Sequence, residues 1–285
     1  MTKVFYGIIG VLLLITAFIF GCSNSDKEPE TKNIPSSREF IIAGSGANLP
    51  ITGKLIDRYN KKYGIKMQMP SSIGSSGGIK AVSEGAIDLG LASRLLQDEE
   101  MKSGLKQFPY ARVGIVIGVN ADVPDDNITY QDIVDIFGGK KNKWKNGKMI
   151  IVMSREKGDS TNQVLQEVVP GFKSVLEDSY KNARWQIYFT DSEEAEGIQK
   201  FSSSIGFTDT GALSVLSLKI KPLKVNGVIP SSANVVNGSY KLYKDFYFIY
   251  KEPIPERVAR FMEFISSDEG QRIISSNGGI PLKGK

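Results

Sequence analysis

Glu39-Phe40-Ile41-Ile42-Ala43-Gly44-Ser45-Gly46-Ala47-Asn48-Leu49-Pro50 reads as a short apolar strand running into a glycine-serine loop and then into a helix start. The helix predicted over residues 50–63 places Ile51, Leu55, Ile56 and Tyr59 on one face. Pro50 suits its first turn and Gly64 its C-terminal end. The pattern then repeats. Residues 65–69 form a second strand, 71–78 a second glycine-serine loop, and Ile79, Val82 and Ala86 the core face of a second helix. Residues 87–91 form a third strand. Alternation of this kind predicts an α/β fold with a largely parallel sheet.

Further along, residues 114–119 read as a strand, and 128–137 as a helix capped by Thr129 and ended by Gly138-Gly139. A strand over 148–153 delivers Ser154 and Arg155 to the next polar loop. Helical stretches follow at 162–169 and 173–180, parted by Pro170-Gly171. Residues 204–207 and 245–250 are strands, and 255–265 and 268–275 are closing helices.

Composition narrows the chemistry. The 285 residues are 41% hydrophobic and 24% charged, ordinary for a globular chain with ample core. The net charge of +5 is spread along the chain without a dense basic block, which argues against nucleic-acid binding and suits a surface that gathers anions. There is no histidine, which removes Ser-His-Asp and Cys-His catalysis and histidine-bound zinc. The chain is therefore expected to be no enzyme and to need no cofactor.

The single cysteine is Cys22. Residues 4–20 are apolar, follow Lys3, and lead into Gly21-Cys22. One reading is a membrane-spanning helix. The other is an export signal over 1–21, with Ile19-Phe20-Gly21-Cys22 resembling a bacterial lipobox whose cysteine takes the lipid. On that reading residues 22–37, polar and proline-punctuated, are a flexible tether to the membrane, and the body lies outside the cytoplasm.

Three loops share one design. Gly44-Ser45-Gly46-Ala47-Asn48, Gly74-Ser75-Ser76-Gly77-Gly78 and Gly158-Asp159-Ser160-Thr161-Asn162 each join a strand to a helix. Glycines turn backbone N–H groups toward a ligand, hydroxyls add donors, and the helix start offers its positive end. Such loops suit a compact anion at the edge of an open sheet. Nucleotide motifs do not fit: Leu49 replaces the third glycine of a dinucleotide fingerprint, and Lys80 lacks the Gly-Lys-Ser/Thr context of a Walker loop.

These loops also carry a resemblance. Together with Gly85-Ala86-Ile87-Asp88-Leu89-Gly90-Leu91-Ala92-Ser93-Arg94, residues 132–144, Arg155-Glu156-Lys157-Gly158-Asp159-Ser160-Thr161, Ser267-Asp268-Glu269-Gly270-Gln271 and Gly279-Ile280-Pro281-Leu282, the chain resembles the phosphate-binding receptors of ABC transporters. The resemblance implies a two-lobed type II periplasmic-binding-protein fold, each lobe a mixed sheet flanked by helices, joined by a two-strand hinge. Lobe 1 would comprise 38–118 and 240–285, and lobe 2 would comprise 119–239. It implies a monomeric lipoprotein that captures phosphate between the lobes and hands it to permease subunits. Sulfate, molybdate or tungstate, or a sensory role on the same fold, are the alternatives.

Carried over by position, the ligand-binding residues are Asn48, Leu49, Ser75, Ser93, Arg94, Arg155, Asp159, Ser160 and Thr161. Arg155 would grip the anion, although pairing with Glu156 is the simpler role for an arginine. Asp159 stands where the family has serine. It would accept a proton from the ligand, or it would cap the helix that follows. Trp144 and Trp185 are expected to be packing residues, and the basic stretch 140–148 a solvated loop.

Overall fold

The computed structural model describes residues 39–283. Cys22, the signal segment before it and the tether lie outside the described residues. The body opens with β1 (Phe40–Gly44), α1 (Leu49–Tyr63), β2 (Met67–Gln68), α2 (Gly74–Ser83), β3 (Leu89–Ala92), α3 (Asp98–Lys102) and β4 (Leu105–Asn120). It continues with β5 (Asn127–Ile128), α4 (Tyr130–Phe137), β6 (Ile151–Arg155), α5 (Ser160–Val168), α6 (Phe172–Lys181), β7 (Gln186–Tyr188) and α7 (Asp191–Lys200). Then come β8 (Ser204–Asp209), α8 (Thr210–Leu216), β9 (Ile220–Pro222), β10 (Lys224–Val225) and α9 (Ser232–Val236). The chain closes with β11 (Tyr243–Lys251), α10 (Glu256–Ser266), α11 (Asp268–Ser276) and β12 (Ile280–Pro281).

The main sheet has the strand order β2-β1-β3-β11-β4-β8-β6-β7, with β9 and β12 also paired to β4. It is mixed. The pairs β1-β2, β1-β3, β6-β8 and β6-β7 are parallel, as the strand-helix alternation predicts. The two central strands β4 and β11 are antiparallel to their neighbours.

Two apolar cores lie along this sheet, and β4 passes from one to the other. Tyr110, Ala111 and Val113 pack with Ile42, Ile51, Leu55 and Phe261, whereas Ile115, Ile117 and Val119 pack with Ile133, Phe137, Phe172 and Phe207. The change falls at Gly114. The returning chain switches back between Leu242 and Phe246, and there the Ile115 N–H donates to Leu242 O at 2.9 Å.

The β4 strand is much longer than residues 114–119. Pro109 interrupts its first half, which argues against a strand on sequence grounds. The ladder accommodates it with a register shift, so that Tyr247 faces Pro109 and Phe246 faces Ala111, leaving Tyr110 as the extra residue. The second glycine-serine stretch also differs from expectation: Gly74 to Gly78 already belong to α2. Thr129 caps α4 as expected, in a reciprocal box with Asp132. Trp144 is buried, and both tryptophans donate to backbone carbonyls, so both are packing residues. In the basic stretch, Lys141, Lys145 and Lys148 pair with Asp132, Asp125 and Asp122.

Candidate functional site

The end of β1, the start of α2, the β6-α5 loop and the start of α7 enclose a cavity of about 210 Å³. Ser45, Gly46, Ser72 and Gly74 to Gly77 line one side, and Arg155 to Ser160 with Asp191 line the other. Helices α2, α5 and α7 all begin at its wall, so three sets of first-turn N–H groups and three positive helix ends converge there. Oriented dipoles of this kind favour an anion.

Arg155 is the buried cation of this cavity, with its side chain 5% exposed. Its Nε donates to Glu156 and to Tyr188 O, each at 3.2 Å, and Nη2 donates to Phe189 O at 3.3 Å. Further carboxylate oxygens lie close: Asp191 at 3.2 Å, Asp159 at 3.4 Å and Glu194 at 3.7 Å. Burial disfavours the guanidinium charge, but Asp159, Asp191, Glu194 and Glu156 outweigh it and raise its pKa. Four acids crowd one arginine. Burial in turn raises the pKa of Glu156, and it raises Glu194 to about 8 despite Arg155 and the Phe207 N–H.

Glu194 gives a clean stability test. Below about pH 4.5, the ordinary value of a glutamate, it is protonated in both folded and unfolded chains and contributes no pH dependence. As the pH rises toward 8, only the unfolded chain ionises freely, so stability falls through that window. Burial sets it first; Arg155 and the Phe207 N–H pull the other way, and Asp159 and Asp191 add to the rise. Glu194→Gln removes the titration. Its stability advantage over the wild type is expected to grow by on the order of 2–4 kcal/mol between pH 5 and pH 8, measured by urea unfolding. An advantage that does not change with pH contradicts this.

The residues expected from sequence divide into two groups. Ser75, Arg155, Asp159 and Ser160 line the cavity. Asp159 does two jobs, accepting the Asn162 N–H at 3.0 Å as the cap of α5 while its other oxygen faces Arg155. Thr161 is buried one residue beyond the wall and accepts from Lys244 at 2.9 Å. Asn48 and Ser93 lie behind Ser45. The Asn48 amide donates to Ala92 O and Tyr110 Oη and accepts from Ser93 Oγ, so its side chain is consumed inside the fold. Leu49 lines a neighbouring groove of about 340 Å³ instead. Arg94 turns to Glu100 with two 2.8 Å bonds and lies off the cavity wall. Its hydrogen bond is the main cause of the lowered Glu100 pKa.

Four residues were not read from the sequence: Ser45, Asp191, Glu194 and Lys244. A signal for α7 was present in Thr190 and Glu193, which form a capping box and place Asp191 and Glu194 in the first turn. Lys244 left a fainter trace. It shares the buried face of its strand with Phe246, an odd place for a solvated lysine.

Comparison with known proteins gives the family and the fold. Residues 29–269 match the family model of the PBP superfamily domain. A Clostridium perfringens structure with bound phosphate, described as a phosphate ABC transporter substrate-binding protein, is 30% identical. It has a TM-score of 0.77 and matches over 86% of this chain and 100% of its own. The phosphate-binding protein PstS of Borreliella burgdorferi is 23% identical over 97% of this chain and 98% of its own. That of Bacillus subtilis is 25% identical over 95% and 93%.

Proposed function

Because this chain belongs to the PBP superfamily, we propose that it is a receptor that captures inorganic phosphate in the Arg155 cavity and delivers it to an ABC transporter. The observation that carries this reading is a buried arginine set where three helix N-termini converge. A compact oxyanion would meet first-turn N–H groups, the Ser75 and Ser160 hydroxyls and the Arg155 charge there.

The surrounding acids favour phosphate over sulfate. Phosphate at neutral pH still carries a proton to offer, whereas sulfate carries none and would face the carboxylates unpaired. The lobes, 38–118 with 240–285 and 119–239, would close on the anion by bending where the chain crosses between them. Cys22 would hold the protein to the outer face of a membrane by its lipid. No helix among the described residues is long and apolar enough to cross one. The protein would act as a monomer without catalysis, and its partner would be the permease.

Ligand-induced stabilisation tests the reading. Phosphate at about 1,000 times its Kd adds about 4 kcal/mol, a Tm rise of roughly 10 °C for a body of this size. Equal sulfate is expected to leave Tm within about 2 °C. An equal rise with both salts, or none with either, would sink the proposal.

A further inference from the structure

The direction of every proton in the Ser45 network is fixed, and that direction gives Ser45 a role at the ligand. The Asn48 amide nitrogen faces Ala92 O, a carbonyl that only accepts, so the amide cannot be reversed. Its oxygen, Oδ1, therefore faces Ser93 and takes the Ser93 hydroxyl proton at 2.6 Å. Ser93 has only that one proton. In the 2.8 Å contact between the two hydroxyls, Ser45 must then be the donor. Its proton points into the fold, and its oxygen keeps lone pairs for the cavity that Ser45 lines.

Ser75 and Thr161 run the opposite way. Ser75 Oγ accepts the Ser93 N–H at 3.1 Å, and Thr161 Oγ1 accepts from the Lys244 ammonium, which has donors alone. Both keep their own protons free to donate. On the cavity wall, Ser75 is thus set as a donor, whereas Ser45, like Ser72 with its proton on Gly44 O, is set as an acceptor.

We infer that Ser45 is a specificity-determining residue that accepts the ligand's own proton, held in that polarity by the Ser93–Asn48 relay. This deepens the phosphate reading and rests on it. An oxyanion with a proton, phosphate or arsenate, satisfies the Ser45 oxygen, whereas sulfate sets oxygen lone pairs against it. The wall carboxylates are the rival acceptors: Glu156, Asp191, and Asp159 with one oxygen committed to its helix cap and the other facing Arg155.

Calorimetric titration with phosphate, and displacement by excess sulfate, test this on the wild type, Ser45→Ala, Ser93→Ala and Asp159→Ser. Ser45→Ala is expected to weaken phosphate about tenfold and leave sulfate within about twofold. Ser93→Ala frees the Ser45 proton to turn outward, so sulfate should tighten and the phosphate-to-sulfate ratio fall. A merely structural role for Ser93 would lower Tm and leave that ratio alone. The assignment is overturned if Ser45→Ala leaves phosphate binding unchanged, or if Asp159→Ser collapses the ratio while Ser45→Ala does not. A wild type silent to phosphate would overturn the receptor reading itself.

Discussion

Arg155→Met is expected to weaken phosphate binding at least 100-fold and to destabilise the protein more at pH 8 than at pH 6. The first effect follows from the loss of the one buried cation on the cavity wall. Truncating one member of a buried, hydrogen-bonded charge pair typically costs about 2–5 kcal/mol of binding. The second follows from what is left behind. Asp159 and Glu194 are almost fully buried beside Arg155, and without it both carboxyl groups lose their main counter-ion. Breaking a buried pair in this way costs on the order of 3–5 kcal/mol. At pH 6 Glu194 holds its proton, and its part of that cost disappears. Titration calorimetry and urea unfolding at the two pH values read both effects. Affinity within tenfold of the wild type would show that the anion sits elsewhere.

Gly44→Ala is expected to disable the site through the fold rather than through its charges. A Cβ on Gly44 would lie 2.1 Å from Leu91 O and 2.7 Å from Leu91 N. These are backbone atoms of β3 and cannot swing aside. Gly78 is as tightly placed, its Cβ position 2.8 Å from both Ala43 O and the Gly44 Cα. Strand β1, strand β3 and helix α2 therefore meet with no room for a methyl group. Gly44 also ties the first two loops together, because its carbonyl accepts the Ile73 N–H at 3.0 Å and Ser72 Oγ at 3.2 Å. Displacing it would move Ser45, Ser72 and the start of α2 at once. A loss of roughly 3 kcal/mol or more is expected, or about 10 °C in Tm, together with phosphate binding. Gly64→Ala is the control. Its φ of 65° is left-handed, but nothing lies within 4 Å, so only about 1–2 kcal/mol is at stake. Equal losses at the two glycines would contradict the packing argument.

Much of the site was legible because its chemistry is local. The apolar run ending at Gly44, the glycine-serine stretch before Ile79 and the Arg155-to-Thr161 loop each announce a strand passing into a helix. What each lacked was its partners. The sequence around Asn48 and Ser93 offers two polar side chains at loop positions, and nothing local shows that Ala92 O and Tyr110 Oη will claim the asparagine. Arg94 likewise looks free until α3 brings Glu100 against it. Glu156 and Asp159 are sequence neighbours of Arg155, but Asp191 and Glu194 reach it only because α7 packs beside β6 and β8. The full length of β4 was hidden for a different reason. Pro109 weakens a local strand signal that pairing with β11 then overrides.

The central claim is that this cavity binds phosphate through Arg155. The most direct test is isothermal titration of the anion-stripped protein with phosphate at neutral pH, run beside Arg155→Met. Tight one-to-one binding by the wild type, lost in the variant, is the predicted result. Equal binding by both proteins, or none by the wild type, would contradict it.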